Sequence, residues 1–89
     1  MKLCNYEAAA EVIKGLLRGD NDITALNSGK YLTTRMTNII CDLRQLGLEI
    51  RTEMRTAPSG KKYGAYRLVQ SDRNIARAIE LLEMIESRL

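Results

Sequence analysis

The side chains best suited to molecular recognition lie within residues 33–38. Arg35 and Asn38 carry planar groups that can each make two hydrogen bonds at once. Arginine in this way matches the edge of guanine or a phosphate, and asparagine matches the edge of adenine. Neighbouring threonines offer hydroxyls for phosphates and methyls for thymine: Thr33, Thr34 and Thr37. These residue types favour hydrogen-bonded recognition of a nucleic acid over the plainer alternative of a solvated helix face.

A second polar group surrounds the turn sequence APSG at residues 57–60. It consists of Arg55, Ser59, Lys61 and Lys62. Together these residues would place positive charge and a backbone donor beside a sugar-phosphate chain. The alternative for the two lysines is that they only keep the edge of a sheet soluble and unpaired.

Catalysis and metal binding have little support in the residue types. The chain has no histidine, which is the usual general base, and no serine or cysteine stands in a recognisable nucleophile motif. Cys4 and Cys41 lack CxxC spacing, so a structural zinc would have too few nitrogen or sulfur ligands. We therefore expect two free thiols, no enzymatic activity, no metal and no cofactor.

Charge is distributed unevenly along the 89 residues, a length that fits one small domain. Residues 1–70 hold 11 basic and 7 acidic residues, a balance of +4, whereas residues 71–89 hold 3 and 4, a balance of −1. The basic excess thus lies in the part that carries the candidate recognition residues. No segment is apolar for the roughly 18 residues a membrane helix needs, and the N-terminus does not match a signal peptide, so we expect a cytoplasmic protein.

Apolar spacing predicts three helices in the first half of the chain. The first begins after a cap at Asn5 and ends near Arg18, and a short second helix starts near Thr24 after an extended piece at Ile23. The third runs from Thr33 or Thr34 to about Leu46, where Gly47 stops it. Its predicted buried side consists of Met36, Ile39, Ile40 and Leu43.

The period changes from helical to alternating after Gly47, which predicts a β-hairpin. Pro58 and Gly60 suit the turn, and KKYGAYRLV forms the return strand. The residues expected to face inward are Leu48, Ile50, Thr52 and Met54 on the first strand, with Tyr66 and Leu68 on the second. The opposite register would turn Tyr63, Ala65 and Val69 inward instead.

A last helix is predicted from about residue 72 to 88, capped by Ser71. Apolar residues recur along it at steps of three and four and form what we call the C-terminal stripe: Ile75, Ala78, Leu82, Ile85 and Leu89. This spacing is typical of a helix pair, and we expect the stripe to form a homodimer. The alternative is that the helix folds back on the first helix and completes the core of a monomer.

The order of elements, three helices followed by a basic hairpin, resembles a winged helix-turn-helix domain over residues 5–69. More narrowly, DIT before the second helix and TRMTNIICDLRQLGLEI leading into GKKYGAYRL are similar to small helix-turn-helix proteins of phages and mobile elements. The matching positions are Ile23, Thr24, Arg35, Leu43, Arg44, Gly47, Gly60, Lys61 and Tyr63.

That resemblance implies an α+β fold in which residues 1–70 form the winged domain and residues 71–89 add a C-terminal helix. It also implies sequence-specific binding of double-stranded DNA by a small transcriptional regulator or accessory DNA factor. The alternative is a protein-interaction module that keeps the fold and binds a partner protein through its third or last helix, without useful DNA affinity.

Overall fold

Helix α1 (Tyr6–Arg18) begins and ends at the residues that the sequence predicts. The side chain of Asn5 accepts a hydrogen bond from the backbone amide of Ala8 at 3.0 Å, which caps the helix. Gly19 ends it with φ of 77°, a left-handed conformation that glycine adopts without strain.

The computed structural model describes residues 5–20, 23–24 and 36–89, and these form an α+β fold. After α1 come helix α2 (Met36–Gln45), strand β1 (Ile50–Thr56), strand β2 (Lys62–Leu68) and helix α3 (Asp72–Glu86). The predicted short second helix, apart from Thr24, and the predicted start of the third helix lie outside the described residues. None of the helices in these ranges is long and apolar enough to cross a membrane.

The extended piece predicted at Ile23 is confirmed and joins the hairpin. The carbonyl of Ile23 accepts a hydrogen bond from the amide of Tyr66 at 2.9 Å, and Thr24 forms an antiparallel bridge with Ala65. Thr24 therefore lies along the outer side of β2, while β1 lies along its other side.

The predicted hairpin is confirmed, but its inward face is shorter than the alternation indicates. Ile50 pairs with Leu68 and both are buried, as expected at the base of the hairpin. Thr52 is exposed and Met54 is 66% exposed, so these two predictions were wrong. Exposure on this face therefore increases from the base of the hairpin toward its turn, whereas Ala65 on the other face is buried.

Helix α3 packs mainly against α1, which changes the interpretation of the C-terminal stripe. Ala78 and Ile85 are fully buried, and Ile75 and Leu82 are partly buried against the same core. Only Leu89 is largely exposed. The stripe is therefore not a free surface for a second copy, because α1 already covers its middle, and α3 completes the core as the alternative proposed.

Asn74 fastens α3 to the base of the hairpin. Its amide nitrogen donates to the carbonyls of Glu49 at 2.9 Å and Val69 at 2.8 Å. Its carbonyl oxygen accepts from the amide of Glu49 at 2.9 Å. A buried asparagine with these bonds fully paired fixes where the hairpin leaves the helical body.

Candidate nucleic-acid interface

Helix α2 buries one side and exposes a polar one, as its sequence predicts. Met36, Ile39, Ile40 and Leu43 are buried. The exposed side, called here the α2 polar face, consists of Thr37, Asn38, Cys41 and Gln45. The side chain of Asn38 makes no hydrogen bond to another described residue, which leaves its amide group available to a ligand. The predicted contact residues Thr33, Thr34 and Arg35 lie outside the described residues.

Little net charge comes from the described part of α2. Asp42 and Arg44 are its charged residues, and their formal charges cancel. Positive charge is instead concentrated in the hairpin, because residues 50–68 hold five basic residues and one acidic residue, a balance of +4. Residues 72–86 of α3 hold two basic and four acidic residues, a balance of −2. Among these described elements, the hairpin is therefore the most basic and α3 the most acidic.

The predicted wing residues stand at the far end of the hairpin. Ser59, Lys61 and Lys62 are all exposed, and neither lysine forms an ion pair with a described acidic residue. Arg55 differs from them, since its guanidinium lies 3.4 Å from the carboxylate of Glu53. The two lysines are therefore the hairpin's most available cations at the tip.

Arg44 connects α2 to the hairpin, a role that the sequence analysis did not identify. Its guanidinium donates to the carbonyl of Ile50 at 2.8 Å and to the hydroxyl of Thr52 at 3.0 Å. It also lies over the ring of Tyr66, 5.9 Å from the ring centre, a cation–π distance. These contacts link the C-terminal end of α2 to the face of the hairpin that carries Thr52 and Tyr66.

A second arginine fixes the same end of α2 from the other side. Arg77 of α3 donates two hydrogen bonds to the carbonyl of Leu46, at 2.8 and 3.0 Å. Gly47 follows with φ of 95°, as predicted for the residue that stops this helix. The end of α2 is thus held by α3 and by the hairpin together.

The opposite face of the hairpin carries further arginines that the sequence analysis did not single out. Arg51 pairs directly with Arg67, and Arg55 follows on the same face. Like charges directly opposite each other weaken a sheet, and a nearby anion offsets that repulsion. The sequence alternation of each strand places these arginines on one face of it. Only the register shows that Arg51 and Arg67 are cross-strand neighbours.

Comparison with known protein families, curated proteins and solved structures finds no match to this chain. Within the described ranges, no group of three or more Cys, Asp or Glu side chains is placed to hold a metal ion. The geometry of α2 and the hairpin is therefore the basis for a functional proposal.

Proposed function

We propose that the protein binds double-stranded DNA in a sequence-specific manner. One observation carries the proposal: Arg44 links a hairpin with a charge of +4 to a helix whose polar face is exposed. A basic surface beside an exposed polar helix is the combination that supplies both phosphate attraction and base reading.

The two parts have different tasks in this proposal. An α-helix fits the major groove, where Asn38 would bond an adenine edge and Thr37 a phosphate or a thymine methyl. The hairpin would follow the flanking backbone, where Ser59, Lys61 and Lys62 meet phosphates. Arg35, Thr33 and Thr34 remain predicted contacts next to this helix, and Arg55 remains one in the hairpin.

A small transcriptional regulator or accessory DNA factor is the role that fits such a chain, and we include a homodimer in the proposal. Two copies of a single reading helix would bind a palindromic site more tightly than one. We do not assign the dimer contact to the C-terminal stripe, because Ala78 and Ile85 are buried within one chain.

The competing function, a protein-interaction module, predicts one continuous exposed apolar surface. The large apolar residues that are exposed in the described part of the chain are dispersed: Met54, Ile79, Met84 and Leu89. Met54 is on the hairpin, and Ile79 and Met84 are five residues apart on α3, which places them on different sides of that helix. This distribution favours the DNA proposal.

The test is a fluorescence anisotropy titration of labelled random-sequence duplex, with a single strand of the same sequence as the comparison. DNA binding predicts saturable binding to the duplex that weakens steeply as salt rises. Selection from a random pool should then return a preferred site. Failure to bind duplex at low salt would refute the proposal.

A further inference from the structure

The outer edge of β1 is open in the described part of the chain. The hairpin's other strand, β2, has neighbours on both sides, since β1 pairs with one side and Thr24 bridges to Ala65 on the other. No described strand lies along the far side of β1. An open edge presents backbone donors and acceptors at the spacing of another strand.

The hydrogen-bond pattern shows which residues of β1 point their backbone groups outward. Across the hairpin, Glu49 accepts a bond at 3.1 Å and Ala57 donates one at 2.8 Å. In an antiparallel pair such bonds occur at every second residue, so the odd-numbered residues of β1 bond inward. The outward-pointing residues of its outer half are therefore Thr52, Met54 and Thr56.

We propose that a second copy of this chain pairs with this edge, β1 to β1 and antiparallel, about a two-fold axis at Met54. In this register Met54 lies opposite its equivalent, and Thr52 lies opposite the second copy's Thr56. Two hairpins then join into one continuous sheet. Met54, which is 66% exposed in the single chain, gains a partner at the centre of the contact.

Charge complementarity selects this register. With Met54 on the axis, Glu53 lies opposite the second copy's Arg55, and Arg55 lies opposite the second copy's Glu53. Both cross-strand pairs are then of opposite charge, which stabilises a sheet. Moving the axis to residue 53 sets Glu53 against itself, and moving it to residue 55 sets Arg55 against itself. Each neighbouring register that matches the outward-pointing groups is therefore repulsive.

The pairing leaves the existing contacts of the hairpin in place. Arg44 bonds the carbonyl of Ile50 and the side-chain hydroxyl of Thr52, and neither bond uses the backbone groups of Thr52, Met54 and Thr56. Lys61 and Lys62 belong to the turn and to β2, away from the β1 edge. The second copy thus meets backbone groups of β1 for which the described residues provide no strand partner.

The resulting geometry also suits the proposed DNA site, although the pairing does not depend on it. A two-fold axis through a sheet is perpendicular to its plane, so both copies of α2 lie on the same side. Ile50 and its equivalent would be about 27 Å apart along the joined strands, since about eight residues separate them at roughly 3.4 Å each. That distance is comparable to the roughly 34 Å between half-sites one turn apart on DNA.

Sedimentation equilibrium without DNA tests the pairing, with charge reversals at the two complementary positions. Because the contact is small, the protein is examined up to about 100 micromolar, where a reversible dimer is expected. Glu53→Arg or Arg55→Glu alone sets like charges opposite each other twice, and each should weaken the dimer at least about tenfold. The double variant E53R/R55E restores opposite charges and should restore the dimer. A chain that is monomeric throughout, or a dimer indifferent to the single reversals, would overturn the proposal.

A cysteine at the axis gives an independent measurement of register. In a background with Cys4 and Cys41 replaced by Ser, Met54→Cys places the two cysteines directly opposite each other. Their Cα atoms are then about 5.5 Å apart, a distance that a disulfide can span. Thr52→Cys is the matched control, because the register separates its two copies by roughly 14 Å along the strands. Rapid oxidation of M54C alone supports the pairing, and equal cross-linking of both variants contradicts it. Because neither experiment contains DNA, their outcome is separate from that of the DNA titration.

Discussion

The guanidinium of Arg44 lies over the ring of Tyr66, 5.9 Å from its centre, and the same group donates to the carbonyl of Ile50 at 2.8 Å. One side chain of α2 thus contacts both strands of the hairpin. We therefore expect the angle between α2 and the hairpin to depend on this residue.

Replacing Arg44 tests that dependence. Arg44→Ala should lower the free energy of unfolding by about 1–2 kcal/mol, because the carbonyl of Ile50 and the hydroxyl of Thr52 lose their charged donor. Arg44→Ala should also weaken binding to duplex, because the hairpin is no longer positioned. Arg44→Lys keeps the charge but loses the planar fork, so we expect it to bind duplex nearly as weakly as Arg44→Ala. Denaturant unfolding and anisotropy titrations measure the two effects. If lysine restores wild-type affinity, the residue acts by its charge and not by positioning the hairpin.

Asn38 should supply sequence preference. Asn38→Ala is expected to cost about 1–3 kcal/mol on the selected site and to relax selectivity at one base pair. Gln70→Ala removes an amide from the base of the hairpin, at the opposite end from its tip, and serves as the control. Competition binding with single-base variants of the site checks the change. Unaltered preference in N38A would exclude Asn38 as the reading residue.

Lys61 and Lys62 should supply affinity without sequence choice. Changing both to Ala is expected to weaken all duplexes about equally and to reduce the slope of log K against log salt by roughly one unit per lost phosphate contact. Arg73→Ala combined with Arg88→Ala removes the same charge from exposed positions on and just after α3. Equal slopes for both double variants would mean that the hairpin tip is off the DNA.

Asn74 should contribute to stability and not to binding. Asn74→Ala removes three side-chain hydrogen bonds and leaves the amide of Glu49 without its acceptor, whereas the carbonyls of Glu49 and Val69 keep bonds from the amides of Val69 and Ser71. We expect a loss of about 2–3 kcal/mol in urea unfolding. Asn38→Ala, at an exposed position, should stay within about 0.5 kcal/mol. A similarly small loss for N74A would show that the hairpin base is held by other contacts.

The C-terminal stripe gives a sharp comparison between neighbouring residues. Ile85 is fully buried whereas Met84 is 43% exposed. Ile85→Asp buries an unpaired carboxylate in the core, so circular dichroism should show an unfolded chain. Met84→Asp should remain folded. A folded I85D protein with a changed oligomeric state would favour the stripe as a dimer contact after all.

The elements that were predictable from sequence are those specified by local chemistry. Asn5 and Gly19 bound α1 by capping and by positive φ, and Pro58 with Gly60 specifies the turn of the hairpin. The buried side of α2 follows from the spacing of its apolar residues. Such signals need no knowledge of distant parts of the chain.

The features that sequence did not reveal depend on contacts between distant residues. Alternation placed Thr52 and Met54 on the inward face, but it does not show where the core ends beneath a strand. Apolar spacing predicted that Ala78 and Ile85 lie on one face of a helix. The same spacing is required whether that face is covered by a helix of the same chain or by one of a second copy, so it does not distinguish the two. The contacts of Arg44 were not predicted for the same reason, because its acceptors lie six and eight residues later, in the hairpin.

Amide chemical shifts of the 89-residue protein, measured as duplex DNA is added, locate the surface that binds DNA. We predict that the shift changes concentrate on the α2 polar face, at Thr37, Asn38, Cys41 and Gln45, and on the hairpin tip at Ser59, Lys61 and Lys62. Residues on the acidic helix α3, such as Glu80 and Glu83, should stay unchanged. Shifts centred on α3, or no shifts at low salt, would contradict binding of DNA by α2 and the hairpin.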